Sequence, residues 1–394
     1  MIKQKLVNIT VLIASLFWLT SSMAAPQIIP AAPQLAAEGY LLIDADTGKV
    51  LVEYNSQQRL PPASLTKIMT SYIASSELIN GTLKLNEDVD VSERAWRTGG
   101  SRMFIQEGTK VKVEDLLNGI IIQSGNDASV ALAEHIAGNE DAFADVMNQQ
   151  AQLLGMTDTH YMNATGLPNE EHYTTAADLA KLTIALIKDY PEYYKRYSEK
   201  YFTYNDIRQP NRNQLLWRDK SVDGVKTGHT SAAGYCLVSS AVRNGMRLVS
   251  VVMGSKSEEA RAVESQRLLS YGFRYYETLN LYKADETLKT VRAWRGQVSN
   301  IDLGLAEGIT ITIPRGAKKN LEASMDIQQV IKAPIKKGQA VGKLTIMSGE
   351  LLVAEVDLVA LVNLEEGGFF SRLWDAIALF FTELFSGDTL TATT

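Results

Sequence analysis

Strand-like stretches stand at both ends of a long, alanine-rich helical segment, and this placement constrains the fold more than any other feature. Tyr40–Asp44 and Lys49–Tyr54 read as a hairpin around Ala45-Asp46-Thr47-Gly48. Gly234–Val242 and Arg247–Met253 read as a second hairpin, with Asn244-Gly245 as its turn. Between them helical spacing recurs over 64–79, 113–122, 128–137, 140–154 and 174–187, and 258–276 is helical after them. Residues 190–222 mix aromatic, charged and polar side chains without a readable period. Strands at both ends of a helical middle predict an α+β domain, an antiparallel sheet covered by helices.

From about Lys283 helical periodicity disappears. Ile309–Ile313 and Lys343–Ile346 alternate, Leu351–Val359 does so in part, and glycines and prolines punctuate the runs. This predicts a small all-β domain over 283–363. The remainder, 364–394, carries Phe370, Leu373, Trp374, Ile377, Phe380, Phe381 and Leu384 at helical spacing, after a Gly367-Gly368 hinge. The helix is too short and charged to span a bilayer and is suited to a membrane interface; the alternative is a helix docked on the protein's own core. Arg372 alone is basic there, so apolar burial is expected to outweigh attraction to anionic lipid.

Residues 1–25 read as a secretory signal peptide: Lys3 and Lys5 precede the apolar run Val11–Leu19, and Ser22-Met23-Ala24 allows cleavage after Ala24 or Ala25. An uncleaved anchor is the alternative. The catalytic segment is then 26–282. Net charge is −6 over 394 residues, and −8 without Lys3 and Lys5, with no basic run, which argues against nucleic-acid binding. Cys236 is the single cysteine, so no internal disulfide holds the fold; its apolar surroundings read as a buried, inert thiol. His135, His160, His172 and His229 lack metal-ligand spacing, and neither a metal nor another cofactor is expected.

Ser64-Leu65-Thr66-Lys67 follows Pro61-Pro62 and reads as a helix start. One turn of helix brings the Lys67 amine beside the Ser64 hydroxyl. Serine becomes nucleophilic when a neighbour takes its proton, and a lysine made neutral by burial or a second cation can do so. The alternative is an N-capping serine followed by a surface lysine. Two later motifs favour the chemical reading: Ser124-Gly125-Asn126 between helices, and Lys226-Thr227-Gly228 opening a strand. Ser-x-x-Lys, Ser-Asp-Asn and Lys-Thr-Gly are the motif set of penicillin-binding proteins and serine β-lactamases.

With Lys226–Thr230, Asn163–Leu167, the small β domain and the amphipathic tail, essentially the whole chain resembles the low-molecular-mass penicillin-binding proteins, D-alanyl-D-alanine carboxypeptidases of the type-5/6 class. The resemblance implies a serine β-lactamase/transpeptidase-like fold. It also implies an enzyme on the periplasmic face of the bacterial inner membrane that trims the terminal D-alanine from peptidoglycan stem peptides and is acylated by β-lactams. Ser64 would attack, Lys67 take its proton and Ser124 pass a proton to the departing D-alanine. Asn126 would bond the substrate amide and Lys67, and the Lys226 charge would help keep Lys67 neutral. Lys226, Thr227 and Arg261 would receive the terminal carboxylate. Gly228 would leave room for substrate beside the strand, and the backbone N–H groups of Ser64 and His229 would form the oxyanion hole. His229 as a general base is disfavoured, since no second histidine or buried carboxylate orients it.

The glycine in Ser124-Gly125-Asn126 departs from Ser-Asp-Asn and favours the carboxypeptidases over the β-lactamases. Glu170 and Glu171 do not sit in the surroundings of a class A deacylating glutamate. A D,D-endopeptidase and a non-catalytic cell-wall binding or β-lactam-sensing protein are the alternatives.

Overall fold

A computed structural model describes residues 29–385, so the signal-peptide reading of 1–25 lies outside the described residues. From Ala32 onward the chain forms one unit. Strands β1 (Gly39–Asp44) and β2 (Val50–Tyr54) form the first hairpin. Helices α1 (Lys67–Asn80), α2 (Asn126–Ala137), α3 (Glu140–Leu153) and α4 (Ala176–Asp189) make the helical middle. Strands β3 (Val222–Thr230), β4 (Gly234–Arg243) and β5 (Met246–Ser255) close the sheet before α5 (Glu258–Tyr275). The sheet is antiparallel in the order β2-β1-β5-β4-β3, so the two distant hairpins meet where β1 pairs with β5.

Both faces of this sheet are covered, and the alternation of side chains shows it. Leu41, Val249 and Val251 point into the core shared with the helical middle; Leu42, Leu248 and Val252 point into a second core with Leu268, Leu269 and Phe273 of α5. Cys236 is fully buried in the first core, and burial pushes its thiol up to about 11, as an inert residue requires. Side-chain oxygens of Asn139, Thr175 and Ser257 accept the backbone N–H three residues on and open α3, α4 and α5.

Two expectations change in detail. Ser64 does not open an α-helix: Ala63–Thr66 is a 3-10 turn and α1 starts at Lys67. The expected helix over 113–122 is in two parts, a short α-helix (Val113–Asn118) that widens into a π-helical turn (Gly119–Gln123) capped by Ser124.

The β strands begin directly after α5, earlier than the change of texture at Lys283: β6 (Tyr276–Tyr282) pairs with Ile309–Pro314. The small domain continues with β7 (Lys289–Trp294), β8 (Asn300–Gly304), β9 (Ile309–Pro314), β10 (Leu321–Ile327), β11 (Ile331–Lys332), β12 (Ala340–Ser348) and β13 (Leu351–Ala360), arranged as β10-β12-β13-β8-β7-β11 beside the β6–β9 pair. Asp44, at the end of β1, fastens the domains together. Its carboxylate accepts from Thr278 Oγ1 and, at 2.7 Å, from Thr312 Oγ1, while Lys49 Nζ donates to the Thr312 carbonyl at 3.0 Å.

The last described element is α6 (Phe369–Phe385). Its apolar face is turned outward: Phe370 is 83% and Trp374 73% exposed, and Leu379 on the other side is buried. Leu384 belongs to the expected apolar face, but its side chain lies outside the described residues. No described helix is long and apolar enough to cross a membrane.

Candidate active site

Lys67 is fully buried, and its Nζ stands among three oxygens: Ser64 Oγ at 3.2 Å, Asn126 Oδ1 at 2.6 Å and the Thr165 carbonyl at 2.5 Å. A neutral amine has two N–H donors and one lone pair. Asn126 and Thr165 present acceptors only, so they take both donors, and the lone pair is left for the Ser64 hydroxyl. Burial lowers the Lys67 pKa to about 7, helped by the Arg212 guanidinium and opposed by Asp127 and Glu140. An ordinary lysine near 10.4 would be neutral about once in 2,500 molecules at pH 7.

The Asn126 amide cannot turn over: Nδ2 donates to the Gly99 carbonyl at 2.7 Å while Oδ1 faces Lys67. Beneath it, the buried Asp127 carboxylate accepts the backbone N–H groups of Met103, Phe104 and Ala128 at 2.8–2.9 Å and of Ile105 at 3.3 Å, tying the 99–105 loop to the start of α2.

Ser64 is half-buried in a turn whose Ala63, Leu65 and Thr66 are buried. Its hydroxyl caps no helix, which removes the capping alternative. Ala63 holds a positive φ of 48°, a strained conformation that fixes the turn just before the nucleophile. Gly166 presses on the same turn. A Cβ there would lie 1.8 Å from the Ala63 carbonyl oxygen, and its φ is +82°. Gly166→Ala is expected to cost about 3 kcal/mol of stability or more, as strain and overpacking add. Urea unfolding checks this, and a change within about 0.5 kcal/mol would contradict it.

Lys226, Thr227 and Gly228 lie on β3, the edge strand of the sheet, against the nucleophile turn. Gly228 differs from expectation: the space of its missing side chain is taken up by Pro62, Ala63 and Leu65, and a Cβ there would lie 3.0 Å from the Pro62 carbonyl oxygen. It allows the strand to approach the turn, and the space of its missing side chain is filled by that turn and not by substrate. Lys226 is buried, donates to the Thr227 carbonyl at 3.1 Å, and has its pKa pushed well down by burial and then by the Lys67, Arg212 and Arg261 charges. Contrary to expectation, the Lys226 charge is not what keeps Lys67 neutral: burial does most of that work, and the second cation that lowers Lys67 is Arg212. Arg261 is only 4% exposed and donates to the Gly228 carbonyl at 3.1 Å, under the ring of Tyr235. His229 is exposed and stacks on Tyr235 at 4.0 Å. Ser124, with a φ of 67°, has a buried hydroxyl without a hydrogen-bond partner among the described residues.

Arg212 is not legible in the sequence; it lies in the stretch without a period, and its Nε donates to the Gln123 carbonyl at 3.1 Å. Its charge disfavours the Lys67 ammonium, so Arg212→Gln is expected to raise the Lys67 pKa. Acylation by a chromogenic β-lactam should then slow about three- to tenfold at pH 6 and stay unchanged above pH 9. Equal slowing at both pH values would contradict an electrostatic role. A cleft of about 490 Å³ opens beside the nucleophile turn, between Pro61–Ala63, Gly166–Glu170 and Thr230.

Residues 26–257 match the D-alanyl-D-alanine carboxypeptidase family of peptidases. The chain belongs to this family. Residues 276–366 match the C-terminal domain of penicillin-binding protein 5. Among relatives of this carboxypeptidase, the D-alanyl-D-alanine carboxypeptidase DacC of Escherichia coli is 45% identical over 373 residues, 93% of each chain. A D-alanyl-D-alanine endopeptidase of the same organism is 30% identical over 251 residues, 61% of this chain and 78% of its own. The crystal structure of penicillin-binding protein 5 from Haemophilus influenzae superposes with a TM-score of 0.80 at 41% identity, over 86% of this chain and all of that one. The carboxypeptidase fold therefore extends through the small β domain.

Proposed function

We propose that this carboxypeptidase removes the terminal D-alanine from peptidoglycan stem peptides through an acyl-enzyme on Ser64, and that β-lactams acylate the same oxygen. The observation that carries the reading is the Lys67 amine, buried and offered two fixed acceptors and one hydroxyl. Ser64 Oγ gives its proton to Lys67 Nζ and bonds to the carbonyl carbon of the D-Ala-D-Ala link. The oxyanion is met by the backbone N–H groups of Ser64 and His229. The proton held on Lys67 passes by way of Ser124 to the departing amine, the C–N bond breaks and D-alanine leaves. Water then gives a proton to Lys67, attacks the ester carbon and frees the shortened peptide as Ser64 recovers its hydrogen.

The free edge of β3 supports an antiparallel docking of the peptide, strand beside strand. Lys226 and Thr227 supply donors and Arg261 the positive charge that a C-terminal carboxylate requires, with Arg261 acting from beneath through the Gly228 carbonyl it holds. The enzyme works outside the cytoplasm, at the periplasmic face of the inner membrane, after loss of residues 1–25. The exposed Phe and Trp face of α6 supports attachment to the membrane surface.

The test is release of free D-alanine from a pentapeptide ending in D-Ala-D-Ala, with a cross-linked dimer as the competing substrate. Release from the pentapeptide is the expected result. Cleavage of the dimer alone would make the chain an endopeptidase, and binding of both without cleavage would make it a sensor.

A further inference from the structure

We propose that α6 and the adjoining rim of the small β domain form one composite surface that recognises anionic phospholipid headgroups. This rests on the membrane reading of α6 given above and adds the charge that the helix itself lacks. The helix is not free of the domain behind it. Asp375 accepts the backbone N–H of Arg295 at 2.7 Å and pairs with the Arg292 guanidinium at 3.5 Å. The segment leading into the helix is laid down by the same rim: Gly367 N–H donates to the Arg295 carbonyl at 2.8 Å, and Leu364 exchanges backbone hydrogen bonds with Ile335. With its polar side held there, the helix turns Phe370, Trp374 and Phe380 outward, at 83%, 73% and 61% exposure.

The basic residues come from segments far apart in sequence. Arg292 lies over the Trp294 ring at 3.7 Å, and Trp294 is in parallel register with Lys332, so the three project from one face of the β7–β11 pair. Lys336 follows Ile335, the residue that pairs with Leu364 at the approach to the helix. Arg295, Lys332 and Lys336 are all exposed, and none makes an ion pair among the described residues. The acids nearby are largely occupied: Asp375 by Arg292, Glu366 by Arg372; Glu365 is exposed. A whole-chain charge of −6 gives no hint of such a patch. Exposed aromatics on a helix held by a rim that carries unpaired cations match a lipid surface carrying negative headgroups: rings enter the acyl boundary while Lys and Arg stay at headgroup level.

The test is co-sedimentation of the full chain with vesicles of pure phosphatidylcholine and with vesicles containing about a third phosphatidylglycerol. The wild type should partition more strongly onto the anionic vesicles, and the difference should shrink as salt is raised. Combined Arg295→Gln, Lys332→Gln and Lys336→Gln should weaken the anionic partition by about fivefold per charge, on the order of a hundredfold in all, and leave partition onto phosphatidylcholine unchanged. β-Lactam acylation of this variant at the wild-type rate shows that it is folded. Equal wild-type partition onto both vesicles, or an anionic partition that the triple change leaves intact, would overturn the proposal while the membrane reading stands. No partition onto either vesicle, with Trp374→Ser also without effect, would overturn both.

Discussion

Ser64→Ala is expected to abolish covalent labelling by any β-lactam and to lower kcat/KM for D-alanine release by at least about 10⁴-fold, the scale of losing the nucleophile of an acyl-transfer site. Stability should change by no more than about 0.5 kcal/mol, because the Ser64 hydroxyl caps no helix and, among the described residues, its one side-chain partner is Lys67. Intact mass after incubation with a penicillin, followed by peptide mapping, checks the first part. An adduct that persists in Ser64→Ala, or maps to Ser124, would remove Ser64 from the centre of the reaction.

Lys67→Ala should be nearly as damaging, with acylation slowed about 10³-fold or more. It deletes the base and leaves Asn126 Oδ1 and the Thr165 carbonyl without their donor. Lys67→Arg separates two explanations: arginine keeps a positive charge but does not give up its proton, so a base requires the variant to be inactive. An arginine variant retaining a tenth of the wild-type rate would show that the site needs a cation and not a base. The same depressed pKa has a sign for stability. An unfolded lysine titrates near 10.5 and the folded Lys67 near 7. Between these values the unfolded chain holds a proton that the folded protein has released. Stability from this group is therefore complete above about pH 10.5 and falls as pH drops toward 7.

Much of this site is written in short-range pattern. A serine and a lysine three residues apart on a turn, an asparagine opening a helix, and a Lys-Thr-Gly strand are local features, and the structure joins Ser64, Lys67 and Asn126 directly. The two hairpins are legible for the same reason: alternation and Asn-Gly turn chemistry are properties of a few neighbouring residues. What is not legible depends on parts of the chain that pattern cannot bring together. Thr165 acts through its carbonyl, which every residue has, and Gly166 matters because the Ala63 carbonyl lies against it. Arg212 stands in a stretch without periodicity and works through its charge. Gly228 reads as an opening for substrate and is a contact with Pro62, Ala63 and Leu65. The start of α1 moves three residues because the strained Ala63 and the pressure of β3 hold Ser64 in a tighter turn. The basic rim beside α6 assembles from β7, β11 and the segment after it, and becomes visible only once those strands are paired.

The central claim is that Lys67 is neutral at working pH because it is buried. The most direct measurement is the second-order rate of acylation by a chromogenic β-lactam from pH 5 to 10. The account predicts a rate that climbs tenfold per pH unit at the acid end, bends near pH 7 and is level above it. A rate that is flat from pH 5, or one that is still climbing at pH 9, would contradict it.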